Sequence, residues 1–151
     1  MKRHLEYSQI EKYIYIGTSI CCKKHFQQLL KIGIKTDVDL QEEKEDTPSS
    51  VIGFLWLPVY DFTAPSQIQL KIGADFIANS VKNKMKCYIH CRAGEGRSPT
   101  LVAAYFVMRD NMKPEKAIKK IKTKRPLIEP NEQQVKSLSL FYKKLTVERL
   151  Y

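Results

Sequence analysis

The sequence predicts an α/β domain in which a mixed, mostly parallel sheet carries helices on both faces. Three observations lead there. Strand-like and helix-like segments alternate along the chain, the order that builds parallel sheets from crossover units. One strand-like run, "FLWLPV", is continuously apolar, as strands buried on both faces are. One helix-like run, "TLVAAYFVM", is apolar all round, which marks a helix at the centre of the molecule.

In chain order, "YIYIG" reads as the first strand. Cys22, Phe26, Leu29 and Leu30 follow at helical spacing, with Gly33 as the stop. Cys22 is expected on the inner face of that helix, with Cys21 beside it. "IKTDVDL" alternates, placing Ile34, Thr36, Val38 and Leu40 on one buried face and Lys35, Asp37 and Asp39 on the other. "QEEKEDTPSS" is polar and acidic, and reads as an exposed connection to "FLWLPV". Ser66 and Gln69 make a Ser-x-x-Gln helix start, followed by Leu70, Ala74, Ile77 and Val81 on one face. "KCYIH" is a further strand, and it feeds the apolar helix. Pro114 suits the first turn of the next helix, with Ala117, Ile118 and Ile121 inward and Lys116, Lys119, Lys120 and Lys122 outward. Asn131 with Gln134 starts a last helix that packs through Val135, Leu138, Phe141 and Leu145. No repeat or second unit is visible, so residues 1–151 read as one domain, expected to be a monomer.

The hydrophobic fraction of 43% and charged fraction of 28% are ordinary for a globular protein. No apolar run is long enough to span a membrane. The segment "MKRHLEYSQIEKYIYIG" lacks the apolar core of a secretion signal, so a cytoplasmic, reducing location is expected. Cys21, Cys22, Cys87 and Cys91 form no Cys-x-x-Cys pair, and the three histidines do not fall at zinc-finger spacings. Neither a metal nor a cofactor is expected. Cys87 and Cys91 share one side of a strand but are too far apart along it for a disulfide. The net charge of +10 is uneven: residues 1–81 carry 9 basic and 10 acidic side chains, residues 82–151 carry 17 and 6. Solvated basic helix faces account for this, with attraction of nucleic acid or anionic lipid as the less favoured reading.

The chemistry concentrates in "HCRAGEGRSPT", between a buried strand and a buried helix. Backbone amides at such a turn converge on one concavity, and the helix N-terminus adds partial positive charge. Gly94 and Gly96 permit the dihedrals this nest needs. Arg97 offers a planar fork for two phosphate oxygens, and the same field favours thiolate at Cys91. Arg92, Ala93, Gly94, Glu95, Gly96 and Arg97 thus form a cradle around a nucleophile, with Arg92 at its mouth and the Glu95 side chain at the rim. Phosphoryl transfer to Cys91 is the natural chemistry. Asp61 lies thirty residues earlier, after "FLWLPVY", on a loop bounded by Pro58 and Pro65, where a carboxylate can serve as proton donor. Ser98 reads as the cap of the helix that Pro99 opens. His90 is expected to hydrogen-bond the loop backbone and tune Cys91, and Asn131 to cap its helix.

"HCRAGEGRSPT" is similar to the H-C-x-x-G-x-x-R-S/T signature of the cysteine-dependent protein tyrosine phosphatases. The whole chain most resembles a compact single-domain dual-specificity phosphatase, because "LPVYDFTAPS" and "RPLIEPNEQQ" fall in that family's order. The resemblance implies a protein tyrosine phosphatase-like fold and a phosphocysteine intermediate on Cys91. It implies Asp61 as general acid and then base on a mobile loop, and the Ser98 hydroxyl stabilising the departing thiolate. It also implies that Asn131 buttresses the phosphate loop and that Gln133 or Gln134 orients the hydrolytic water. The expected substrate is protein phosphotyrosine, with phosphoserine and phosphothreonine beside it. The alternatives are an RNA 5′-triphosphate, a phosphoinositide, or a non-catalytic phosphate-binding module. Glu95 weighs against the phosphoinositide, since lipid phosphatases of this type carry a second basic residue there. Sulfur-transfer and arsenate-reducing enzymes with similar loops fit this arrangement poorly.

Overall fold

Five strands in the order β1-β2-β5-β3-β4 form the sheet of the structure, a computed structural model that describes residues 4–151. β1 (Tyr7–Glu11) and β2 (Ile14–Gly17) are an antiparallel hairpin. β3 (Ile34–Gln41), β4 (Gly53–Val59) and β5 (Lys86–His90) continue the sheet from β2 in parallel. The expected mixed, mostly parallel sheet is therefore present. β1 escaped the sequence because "YSQIE" is polar and buries Ile10 alone.

The two-residue period of the strands divides two cores. Ile14, Ile16, Val38, Leu40 and Ile89 join the large core under α2 (Gln67–Lys82), α3 (Arg97–Asp110), α4 (Pro114–Lys124) and α5 (Glu132–Glu148). Tyr15 and Tyr88 face the opposite side with Phe26 and Leu29 of α1 (Lys23–Lys31). α3 is the central helix, buried from Arg97 through Val107 and packed against α2, α4 and α5. Its position fixes the site, because it leaves directly from the end of β5, the middle strand.

Several predicted details hold. Gly33 follows α1 with a φ of +91°, the left-handed conformation that glycine adopts without penalty. Gln69 N–H donates to Ser66 Oγ (3.2 Å) and Ser66 N–H to Gln69 Oε1 (2.9 Å), a reciprocal cap for α2.

Others are overturned. β4 is an edge strand and Trp56 is 38% exposed, so "FLWLPV" is not buried on both sides; Pro58, which has no N–H, suits an edge. Ile34 joins the smaller core, because the β3–β5 register shifts between Ile34 and Thr36. Asp37 and Asp39 do not face solvent but are buried. Cys22 is the N-cap of α1, and it and Cys21 are exposed rather than inward. Val135 lies 37% exposed on α5. Lys120 is not a solvated charge: its Nζ donates to Glu11 Oε1 (2.6 Å) and lies 4.3 Å over the Phe106 ring.

Candidate active site

The turn from Cys91 to Gly96 joins the end of β5 to α3. Each of its carbonyls is held from outside. Cys91 O accepts from His90 Nδ1 (3.3 Å), Arg92 O from Ser19 N–H (3.2 Å) and Ala93 O from Arg125 Nη2 (3.1 Å). Gly94 O accepts from Arg125 Nε (2.8 Å), Glu95 O from Glu129 N–H (2.8 Å) and Gly96 O from Thr100 N–H (3.1 Å). With the carbonyls committed outward, the amides of the turn are left to the cavity of about 290 Å³ that Cys91, Arg92, Gly96 and Asp61 line. Gly94 must be glycine for two reasons. Its φ is +67°, and a Cβ there would lie 2.7 Å from Gly17 O and 2.8 Å from Arg125 Nη2.

Cys91 is buried, with Sγ 3.3 Å from Ser98 Oγ. Ser98 does not cap α3: the helix begins at Arg97 with Gly96 as N-cap, which puts Ser98 in the first turn with its hydroxyl turned to the thiol. The Arg97 guanidinium is buried and held from three sides. Glu43 takes Nη1 and Nη2 at 2.8 Å each, Val59 O accepts from Nη1 (2.8 Å), and Asp61 Oδ1 lies 3.2 Å from Nη2. The hydrogen bonds from Arg97 hold the Glu43 carboxyl down at about 2, against the modest opposing effect of its burial.

Asp61 sits on a loop that α5 ties down. Thr63 N–H closes a turn onto Tyr60 O (3.1 Å), with Phe62 at a φ of +63°. That left-handed backbone is strained for an aromatic residue and is kept by its surroundings. Asn131 Nδ2 donates to Phe62 O (2.7 Å), Gln134 Nε2 to Thr63 O (3.0 Å) and Ser137 Oγ to Pro65 O (2.8 Å). Asn131 also caps α5 through Gln134 N–H (3.0 Å), as expected. Its second bond goes to the acid loop and not to the phosphate loop, which corrects the expected buttress. Gln134 lines the cavity against Gly96, but both ends of its amide are engaged, with Asn131 N–H and Thr63 O. Its amide is a strut between loops, with one N–H and one oxygen lone pair beyond these two bonds. Gln133 is exposed and does not line the cavity.

Behind Cys91, His90 is fully buried among three carboxylates. Its Nε2 is 2.6 Å from Asp46 Oδ2, 3.4 Å from Asp37 Oδ1 and 3.9 Å from Asp39 Oδ1. Burial opposes charge on His90, but Asp37 and Asp46 outweigh it and raise the imidazole well above its ordinary range. Both ring nitrogens face acceptors, Nε2 on Asp46 and Nδ1 on Cys91 O, an arrangement that favours the charged imidazole and agrees with the expected backbone contact. Burial pushes the Asp37 carboxyl up to about 7 and the Asp39 carboxyl up to about 6. Asp39 folds the following connection: Oδ1 accepts from Gln41 N–H (2.8 Å) and Oδ2 from Asp46 N–H (3.1 Å). That connection carries Glu43 to Arg97 and Asp46 to His90. The side chains of Arg92 and Glu95 are exposed at the rim, as expected.

The structure thus brings together Cys91, Arg97, Asp61 and Ser98, and leaves Gln133 outside. The sequence reading missed Arg125, Glu43 and the aspartates around His90. Arg125 stood at the end of a basic helix, and only its place before Pro126 hinted at a fixed role. Glu43 sat in a run of acidic residues that nothing set apart.

Residues 14–144 match the family described as dual specificity phosphatase, catalytic domain. A phosphatidylglycerophosphate phosphatase of Arabidopsis thaliana, PTPMT2, is 29% identical over 138 residues, which is 85% of this chain and 60% of that protein. The human dual specificity protein phosphatase 5 is 26% identical over 124 residues, 82% of this chain and 32% of that one. The chain therefore spans about a third to three fifths of these relatives' lengths. Among solved structures, PTPMT1 in complex with PI(5)P superposes with a TM-score of 0.85 at 25% identity, over 95% of this chain and 98% of that one. Tk-PTP in the active form superposes at 0.82 and 24% identity, over 91% and 97%, a likeness of fold.

Proposed function

The chain belongs to the dual specificity phosphatase family, and from that premise we propose that it hydrolyses phosphate monoesters of protein side chains. Phosphotyrosine comes first, with phosphoserine and phosphothreonine beside it. One observation carries the reading: a thiol, a guanidinium and a carboxylate converge on a cavity floored by a turn whose carbonyls are all held outward. Cys91 Sγ attacks phosphorus while Arg97 and the turn amides hold the equatorial oxygens, a stabilisation set up in advance of the reaction. Asp61 gives a proton to the departing oxygen, leaving phosphocysteine. Asp61 then takes a proton from the water that attacks phosphorus, and inorganic phosphate leaves. The Ser98 hydroxyl, 3.3 Å from Sγ, stabilises the thiolate released in that second step. A dianion entering the turn competes with Glu43 for the Arg97 fork. Phe62, 78% exposed and lining the cavity, gives an aryl phosphate an apolar wall.

A second reading, a phospholipid monoester, is favoured by Tyr60, Phe62 and Ile68, which are all exposed on the acid loop and the start of α2. The names of the Arabidopsis relative and of the PTPMT1 complex support it, and Glu95 in the turn weighs against a highly charged headgroup. The test is one panel of phosphopeptides, vesicles containing phosphatidylglycerophosphate or a phosphoinositide, and triphosphate-ended RNA, each with the Cys91→Ser chain as blank. Phosphopeptide turnover with the highest kcat/KM is expected. Vesicles turned over faster than every peptide refute the protein reading and leave the chemistry intact. No Cys91-dependent turnover of any substrate refutes the chemistry.

A further inference from the structure

Cys21, Cys22 and His25 lie on the opposite side of the sheet from α3, at the start of α1. One ligand atom from each falls within 4.8 Å of the others, and Cys21 Sγ is 3.2 Å from His25 Nδ1. The two thiols line a cavity of about 430 Å³ that shares no residue with the one around Cys91. We propose that Cys21, Cys22 and His25 form a zinc site, with the fourth position open to solvent.

The local fold makes the cluster. The spacing Cys-Cys-x-x-His puts Cys21 and His25 four positions apart. Cys22, as N-cap, has an extended backbone (φ −163°, ψ 167°). Adjacent side chains in extended chain would point to opposite sides, but α1 begins at once and returns His25 toward the thiols. The two sulfurs lie within 4.8 Å of each other. Zinc bonds of about 2.3 Å to sulfur and 2.0–2.1 Å to nitrogen place tetrahedral ligand atoms roughly 3.5–3.8 Å apart. The observed 3.2 Å and the 4.8 Å limit bracket that spacing, so rotamer adjustments of the two exposed thiols suffice.

The chemistry selects a soft ion. Two thiolates and an imidazole suit zinc, and exclude magnesium and calcium, which need oxygen donors. Binding displaces the two thiol protons to solvent, so Zn²⁺ with two thiolates and a neutral imidazole carries no net charge. Lys23 and Lys44 on the cavity wall leave the bound unit an anion-attracting rim. Lys44 Nζ also donates to Ile20 O, which ties the connection bearing Glu43 to the residue just before Cys21. Three protein ligands with an open fourth position form an exchangeable site, in contrast to the closed four-ligand sites that hold folds together.

The experiment titrates cobalt(II), as a coloured stand-in for zinc, into the reduced full chain carrying Cys91→Ser, so that the nucleophile contributes no thiolate. Saturation at one equivalent is expected, with near-ultraviolet thiolate-to-metal charge-transfer bands and the visible bands of tetrahedral cobalt, both bleached by zinc. Cys21→Ser or Cys22→Ser should remove at least half of the charge-transfer intensity. His25→Ala should weaken binding about tenfold or more. All three positions are accessible, and circular dichroism will show that the variants fold. Absence of a charge-transfer band overturns the proposal. So does a band that survives Cys21→Ser with Cys22→Ser, or binding indifferent to His25→Ala.

Discussion

Arg125 is the residue on which the phosphate cradle depends most and which the chemistry touches least. Its side chain is fully buried, with Nε on Gly94 O (2.8 Å) and Nη2 on Ala93 O (3.1 Å), while Nη1 meets Ser8 Oγ (3.0 Å) and Glu6 Oε1 (3.3 Å). Arg125→Lys keeps the charge and most of the stem but replaces the fork with a point donor. One of the two carbonyls then loses its partner. A buried acceptor left unsatisfied costs about 1–3 kcal/mol, which should appear as lowered stability in urea unfolding. The peptide can recover that energy by rotating its carbonyl toward water or the cavity. Rotation of the Ala93 or Gly94 carbonyl carries the next amide, of Gly94 or Glu95, away from the substrate oxygens. If the same energy is lost from the transition state, kcat/KM falls by a factor of roughly 5–150. The assay is hydrolysis of an aryl phosphate, with inhibition by inorganic phosphate measured in parallel, and weaker phosphate binding is expected. A variant that loses stability while kcat/KM stays within about twofold of wild type would refute the reasoning, because the amides would then be held without Arg125.

Cys91→Ser should abolish turnover yet leave phosphate binding and the unfolding midpoint close to wild type; residual turnover near the wild-type rate removes Cys91 from the mechanism. Asp61→Asn should slow cleavage of substrates with basic leaving groups by roughly 10²–10⁴-fold and spare those with acidic phenols; equal losses across a leaving-group series in single-turnover kinetics rule out the acid role. Asp37, pushed up to about 7 chiefly by burial, holds its proton more tightly folded than unfolded, so its stabilisation is complete below about pH 4 and is lost as pH rises through about 7. The melting temperature should therefore fall between about pH 4 and 7, and Asp37→Asn, which mimics the protonated carboxyl, should flatten that fall; parallel pH profiles for the two chains contradict the assignment.

How much of this was legible from the sequence depends on where the information lies along the chain. Cys91, Arg97 and Ser98 share one strand–turn–helix unit, so their spacing alone states their relation. The capping boxes at Ser66–Gln69 and Asn131–Gln134 are equally local, and both formed as expected. The edge position of β4 was not legible, because "FLWLPV" is apolar whether one neighbour or two flank it; Trp56 instead uses its Nε1–H on Gln41 O (2.8 Å) and stays partly exposed. Alternation in β3 identified the two faces but not what covers the second, which is His90 from the neighbouring strand.

The supports of the cradle come from three separate parts of the chain: Ser19, Glu43, and the stretch that holds Arg125 and Glu129. None has a local signature, because each is chosen for where its donor or acceptor lands after folding. The acidic connection shows this best. Read by composition it is solvated linker, and Glu42 and Glu45 are indeed exposed. Yet its Glu43 fixes the Arg97 fork and its Asp46 holds His90 Nε2 behind Cys91. Both depend on Asp39, whose two oxygens hold the amides of Gln41 and Asp46. The aspartates of β3 are therefore buried for a reason that alternation could not express. They organise the connection that sets the charges on either side of Cys91, and their burial costs are offset only once β5 has placed His90 among them.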